Sequence, residues 1–402
     1  MSTPGPIHPQ LAQGDYPFTS LEARSRELSP PGVAPIYFSI GDPREETPDF
    51  IRQTLRDAVP VVSSYPTVVG EPALRRACAG WVERRFGVKL DPDREVLPVN
   101  GTKEAVFSLA FSVIVPGGDQ RTVVIPTPAY PVYAAGARFA GAEIHEIPLG
   151  SADGWRFDPA RVPDAVWEKT ALLWLNVPHN PTGAMLDDAG YERTLALARR
   201  FGFWVAADEA YSEVYFDGVP PPSALQVEGA TDVCVEVNTL SKTYSMAGFR
   251  VGFALGNERL IAALGRVKSY LDYGAYTPIQ VAAAAALNGP QDCVEEMRQT
   301  YKHRRDVLVE SFGKAGWTVP SPRASMFAWA PLPEKFKHLG SVEFSKRLME
   351  EAEIAVAPGL GFGEYGDNFI RIGLVENEQR IRQAARNLKR FLASNVAPAA
   401  AE

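Results

Sequence analysis

From about residue 48 onward, short uninterrupted apolar runs alternate with stretches whose apolar positions recur every three or four residues. The runs at 121–126, 171–177, 203–207, 233–237 and 251–255 predict strands, and 191–201 and 257–268 predict helices between them. Continuous apolar strands alternating with helices indicate an α/β fold, a mostly parallel central sheet with helices on both faces. In such sheets ligands gather at the carboxyl ends of the strands. After about residue 295 the texture changes. A charged helix over 297–312 precedes strands around 317–319 and 326–329. A last helix over 376–392 places Ile381, Ala385, Leu388 and Leu392 at spacings of four, three and four. The expected organisation is therefore an N-terminal arm and part of a small domain (1–47), a large ligand-binding domain (48–294), a small α+β domain (295–394) and a tail (395–402). Residues 1–30, polar and proline-bearing, read as an arm or lid.

At 402 residues and 43.9 kDa the chain exceeds one small core, and more than one domain follows. A net charge of −7 with no strongly basic stretch argues against nucleic acid as a partner. Cys78, Cys234 and Cys293 lie too far apart for a disulfide framework or zinc spacing, and the five histidines form no ligand cluster, so no metal is expected. The N-terminus has no basic-then-apolar secretory pattern, and no apolar run approaches the roughly 20 residues that span a bilayer. These features predict a cytoplasmic enzyme that does not associate with membranes.

The candidate chemistry follows the predicted strands. Lys242 lies in Asn238-Thr239-Leu240-Ser241-Lys242-Thr243, with Arg250 eight positions on. Such a lysine, among hydroxyls and near a cation, can hold an aldehyde cofactor as a Schiff base while the arginine and hydroxyls take its phosphate. Asn100-Gly101-Thr102-Lys103 opens a helix, presenting backbone N–H groups to an anion or simply turning a strand into a helix. Prolines at 128 and 131 fix Tyr130, either to stack on a flat heterocycle or to stiffen a loop. In Asn176-Val177-Pro178-His179-Asn180-Pro181, Asn180 can donate to a phenolic oxygen, and the two X-Pro bonds raise the chance of a cis peptide. Asp208, at a buried strand end, needs a charged partner such as a pyridinium N–H, or else caps the next helix; Tyr211 follows three residues later. Arg371, alone in an apolar strand, grips a carboxylate or serves a structural ion pair.

With these motifs in this order, the chain from about 36 to 392 closely resembles the class I and II aminotransferases, the fold-type-I pyridoxal-phosphate enzymes. The resemblance implies pyridoxal 5'-phosphate as cofactor and an L-amino acid and a 2-oxo acid as substrates, in a ping-pong cycle. It makes Lys242 the Schiff-base lysine and proton shuttle and sets Asp208 on the pyridine nitrogen. Asn180 and Tyr211 would hold the phenolic oxygen, Tyr211 counting with Lys242 and Asp208 among the catalytic residues. Tyr130 would cover the ring, and Thr102, Lys103, Thr239, Ser241 and Arg250 would hold the phosphate. Gly41, Asn180 and Arg371 would bind substrate. Tyr65, in Ser64-Tyr65-Pro66-Thr67, is similar to the family tyrosine that reaches a partner's phosphate, which implies a homodimer with shared sites. Residues 39–107 look like N-succinyldiaminopimelate aminotransferases, whereas 268–274 and 361–366 look like the alanine (glutamate–pyruvate) branch. A β-eliminating C–S lyase shares most of these residues and is the rival expectation. A sensor built on this fold would need a DNA-binding domain, for which the stretch before Ile36 is too short and not basic. A catalytically dead variant would lack catalytic positions, and here none is missing.

Overall fold

The computed structural model describes residues 35–394, so the arm or lid expected at 1–30 and the tail expected at 395–402 lie outside it. In chain order the strands are β1 (Ile36–Tyr37), β2 (Val96–Val99), β3 (Thr122–Thr127), β4 (Glu143–Pro148), β5 (Thr170–Asn176), β6 (Trp204–Asp208), β7 (Cys234–Thr239), β8 (Gly252–Gly256), β9 (Phe327–Pro331), β10 (Ile354–Ala355), β11 (Ala357–Pro358) and β12 (Phe369–Gly373).

Seven strands form one sheet in the order β2-β8-β7-β6-β5-β3-β4. From β4 to β7 every pairing is parallel. All residues of β3, β5, β7 and β8 are buried; β5 and β8 run apolar with almost no alternation, while β7 buries Glu236 and Asn238 between its valines. Each fully buried leucine of β5 (Leu172, Leu173, Leu175) stabilises the fold by roughly 1.5–3 kcal/mol relative to an exposed one. β4 is the edge strand; Glu143, Glu146 and Pro148 face solvent, so no apolar run announces it.

One face of this sheet is covered by the helices Thr102–Val113, Val132–Phe139 and Glu258–Leu271, packed around Leu97, Val106, Leu109, Leu260 and Leu264. On the other face, a single apolar cluster continues from Leu173, Val205 and Leu255 to Phe327, Ile370 and Ile372 of the smaller sheet. That smaller sheet is antiparallel, in the order β11-β12-β9, and β1 pairs with β10 beside it. The helices Asp292–Ala315, Gly340–Ala352 and Glu378–Ser394 complete this region.

Two details depart from the sequence pattern. β8 runs antiparallel to both β7 and β2. The link from Thr239 to Gly252 holds only the four-residue helix Leu240–Thr243 and a 3₁₀ turn, too little for a crossover to the far edge. Residues 317–319, expected as a strand, are not one. Trp317 N–H bonds back to Phe312 O at the end of the preceding helix, its indole donates to Pro331 O at 2.7 Å, and the prolines at 320 and 322 supply no ladder donors. Among the described residues, no helix is long and apolar enough to cross a membrane.

Candidate active site

The parallel strands deliver their carboxyl ends to one edge of the sheet, and each end carries one of the candidate side chains. β2 leads into Gly101 and Thr102, β3 into Tyr130, β5 into Asn180, β6 ends on Asp208, and β7 ends on Thr239 before Lys242. Because β8 runs the opposite way, Arg250, just before its first residue, arrives at the same edge. The register places Gly252 beside both Val99 and Thr239. Arg371 comes from the middle of β12, and Gly41 from the segment after β1. Gly41, Thr102, Lys103, Tyr130, Asn180, Asp208, Tyr211, Thr239, Ser241, Lys242, Arg250 and Arg371 thus line one cavity of about 550 Å3, a volume suited to a small-molecule ligand. Tyr65 does not line it. It is 84% exposed and packs on Tyr273, with ring centroids 4.8 Å apart.

One end of the cavity is a candidate anion cradle. The helix Thr102–Val113 starts at Gly101, whose φ of 78° and ψ of 152° belong to a region open essentially to glycine. A Cβ at Gly101 would lie 2.5 Å from Arg250 Nη2, so the glycine lets the guanidinium pack against the turn. Arg250 Nη1 donates to Ala247 O at 2.8 Å. Partial burial, then the neighbouring Arg250, hold the Lys103 ammonium below its ordinary value. Thr239 Oγ1 accepts from Ser241 N–H at 3.1 Å, which leaves the threonine hydroxyl free to donate. Two crowded cations, hydroxyls and the first N–H groups of a helix together favour a bound phosphate.

The other end is organised around Asp208. Its Oδ2 accepts from Tyr133 O–H at 2.7 Å and its Oδ1 from Ala210 N–H at 3.2 Å. Burial pushes the carboxyl up to about 6, opposed by those two hydrogen bonds. Asn176 ties this strand end to the next loop. Its Nδ2 donates to Asp208 O at 2.7 Å, and its Oδ1 accepts from Asn180 N–H at 2.7 Å. The Val177–Pro178 and Asn180–Pro181 bonds are cis, as is Thr127–Pro128. Tyr133, three residues after Tyr130 and stacked on Trp174 at 4.6 Å, is the contact that the sequence reading missed. The only signal for it was the Tyr130-Pro131-Val132-Tyr133 spacing.

Lys242 lines the same cavity. Its Nζ donates to Gly41 O at 2.6 Å and sits 4.0 Å from Asp42 Oδ1. Burial lowers its pKa to about 8; Asp42 opposes that shift, while Arg371 and Arg250 add to it. Arg371 is buried, with Nη1 donating to Asn180 Oδ1 at 3.2 Å and Nη2 to Ser39 O at 3.1 Å. Its guanidinium lies over the rings of Phe327 and Phe362, at 4.0 and 4.8 Å. Tyr211 meets Phe327 edge-on at 5.7 Å.

The family model for aminotransferase class I and II matches residues 34–388. The chain is 50% identical over 383 residues to the putative aminotransferase AatC of Rhizobium meliloti, covering 94% of this chain and 93% of that protein. It is 43% identical over 370 residues to the glutamate-pyruvate aminotransferase AlaC of Escherichia coli, covering 91% and 89%. Its fold is similar to substrate-bound BacF of Bacillus subtilis, with a TM-score of 0.91 at 31% identity over 98% of this chain and 99% of that one.

Proposed function

The chain belongs to the class I and II aminotransferases, and on that premise we propose that it binds pyridoxal 5'-phosphate and moves an amino group between L-alanine or L-glutamate and a 2-oxo acid in a ping-pong cycle. The observation that carries this reading is that the Lys242 amine shares one cavity with the buried Asp208 carboxylate and the buried Arg371 guanidinium.

The residues present fit the cofactor. A buried carboxylate raised toward neutral pH is stabilised by a cationic partner, which a protonated pyridine nitrogen provides. The cradle of Thr102, Lys103, Thr239, Ser241 and Arg250 suits the phosphate. Asn180 and Tyr211 would hold the phenolic oxygen, and Tyr130 the ring face. When bound, the cofactor supplies the electron sink that proton removal at an amino acid's Cα requires. Arg371 then grips the substrate carboxylate through its planar fork, helped by the Gly41 backbone. Lys242, about half neutral near pH 8, takes the proton from Cα and returns it on the other side of the reaction. Tyr65, exposed beside Tyr273, is offered to a second copy of the chain, which supports a homodimer with shared sites.

The 43% identity to AlaC supports alanine and glutamate as donors, and the 40% identity to an LL-diaminopimelate aminotransferase of Desulforudis audaxviator puts a diaminopimelate-type donor on the same panel. Single-turnover spectroscopy of the cofactor-loaded protein against an amino-acid panel tests the reading. Alanine or glutamate should bleach the visible band, and pyruvate or 2-oxoglutarate should restore it. A faster reaction with N-succinyl-diaminopimelate would overturn the substrate choice. Pyruvate and ammonia released from cystathionine, with no oxo-acid requirement, would instead make the protein a C–S lyase.

A further inference from the structure

Lys268 does not line the cavity, yet its side chain is fully buried. Its Nζ donates to Glu104 Oε2 at 2.9 Å and to the two Asp272 oxygens at 2.8 and 3.0 Å. Both acids hold the same residue. Glu104 Oε2 accepts from Asn100 N–H at 2.7 Å, and Asp272 Oδ2 accepts from Asn100 Nδ2 at 3.0 Å. Asn100 immediately precedes Gly101, against which the Arg250 guanidinium packs. The cluster also reaches outward. Asp272 Oδ1 accepts from Gly274 N–H at 2.6 Å. Gly274, at φ +97°, lies so close to Thr67 that a Cβ would come within 2.3 Å of the Thr67 carbonyl oxygen. Between Asp272 and Gly274, Tyr273 packs on Tyr65.

We propose that Lys268 is a positioning residue for the anion cradle, fixing the Asn100–Gly101 turn and, through the same carboxylates, the surface that carries Tyr65 and Tyr273. The inference rests on the cofactor reading above. A buried ion cluster is weak evidence for stability in itself, because desolvation offsets most of its attraction. Here it does something geometric. Without the lysine, two carboxylates from different helix ends face each other around Asn100, and nothing holds them at the separation that grips both its backbone and its amide. The turn then shifts, and Arg250 shifts with it.

The test compares the affinity of the protein for pyridoxal 5'-phosphate with its affinity for unphosphorylated pyridoxal. Lys268→Met should cut the preference for the phosphorylated form about tenfold, the worth of one charge-assisted hydrogen bond, and leave pyridoxal affinity unchanged. Asn100→Ala keeps the Lys268 cluster whole and should lower the preference in the same direction by less, so the idea stays testable if the first variant does not fold. An unchanged preference in either folded variant overturns the positioning role. A wild-type protein with no preference for the phosphorylated form overturns the cofactor reading as well.

Discussion

Tyr133 donates its phenolic O–H to Asp208 Oδ2 at 2.7 Å while its ring lies flat on Trp174, 4.6 Å between centroids. The carboxylate at the end of β6 is thereby held by a side chain that is itself locked by packing. Two opposed effects meet on Asp208. Burial favours its neutral form, and the hydrogen bonds from Tyr133 and Ala210 favour the charged one. Burial wins, and the cofactor-free protein carries a carboxylate that costs it stability.

That cost has a sign and a pH window. The folded-state value of Asp208 is raised from 3.8 to about 6, so the folded protein binds this proton more tightly than the unfolded chain. The stability this proton provides is full below about pH 4, the ordinary carboxylate range, and is lost as pH rises through about 6. Asp208→Asn should therefore make the cofactor-free protein more stable than wild type by about 3 kcal/mol at pH 8, with the gap closing toward pH 4. Urea unfolding at several pH values checks this. A wild type that is the more stable of the two at pH 8 would show that burial does not dominate at this carboxylate.

Lys242 should behave as an amine with a pKa near 8 rather than 10.5. In stopped-flow mixing, the association rate of pyridoxal 5'-phosphate with the cofactor-free protein should fall about tenfold per unit below pH 8, in step with the neutral-amine fraction. Borohydride reduction should then leave the label on the peptide containing Lys242 and give none in Lys242→Ala. A half-maximal rate near pH 10, or label on Lys103, would rule out Lys242 as the reacting amine.

Gly101→Ala should damage the cradle in two ways. Its backbone conformation costs a residue with a Cβ about 1–3 kcal/mol, and the added methyl meets Arg250 Nη2 at 2.5 Å. Thermal denaturation should show the first loss, and weaker competition by inorganic phosphate against cofactor binding should show the second. Pairing it with Arg250→Ala removes the collision but not the strain, so the stability loss should persist in the double variant.

Much of this site was legible because its chemistry sits at the ends of strands that are buried on both faces. Runs such as 171–177 and 203–207 are apolar because β5 and β6 have no wet side, and a polar residue at such an end, Asn176 or Asp208, stands out against them. β4 gave no such signal, since an edge strand exposes Glu143 and Glu146. The region at 317–319 misled because its buried Trp317 and Val319 are apolar for packing, with no ladder partner. Tyr133 and Lys268 were invisible for another reason. Asp208 lies 75 residues from Tyr133 and Glu104 lies 164 residues from Lys268, and only the assembled fold brings these pairs together. Arg250 was identified by its distance from Lys242, but its place opposite Gly101 depends on the reversed direction of β8.

Arg371 and Lys242 rest on main-chain carbonyls two residues apart, Arg371 on Ser39 O and Lys242 on Gly41 O. A carbonyl satisfies a charged donor without cancelling its charge. In the proposed reaction these oxygens would be neutral placeholders that an arriving carboxylate displaces. Both belong to one short stretch of backbone, so in the proposed reaction docking of the acid group and freeing of the amine would act on the same three residues.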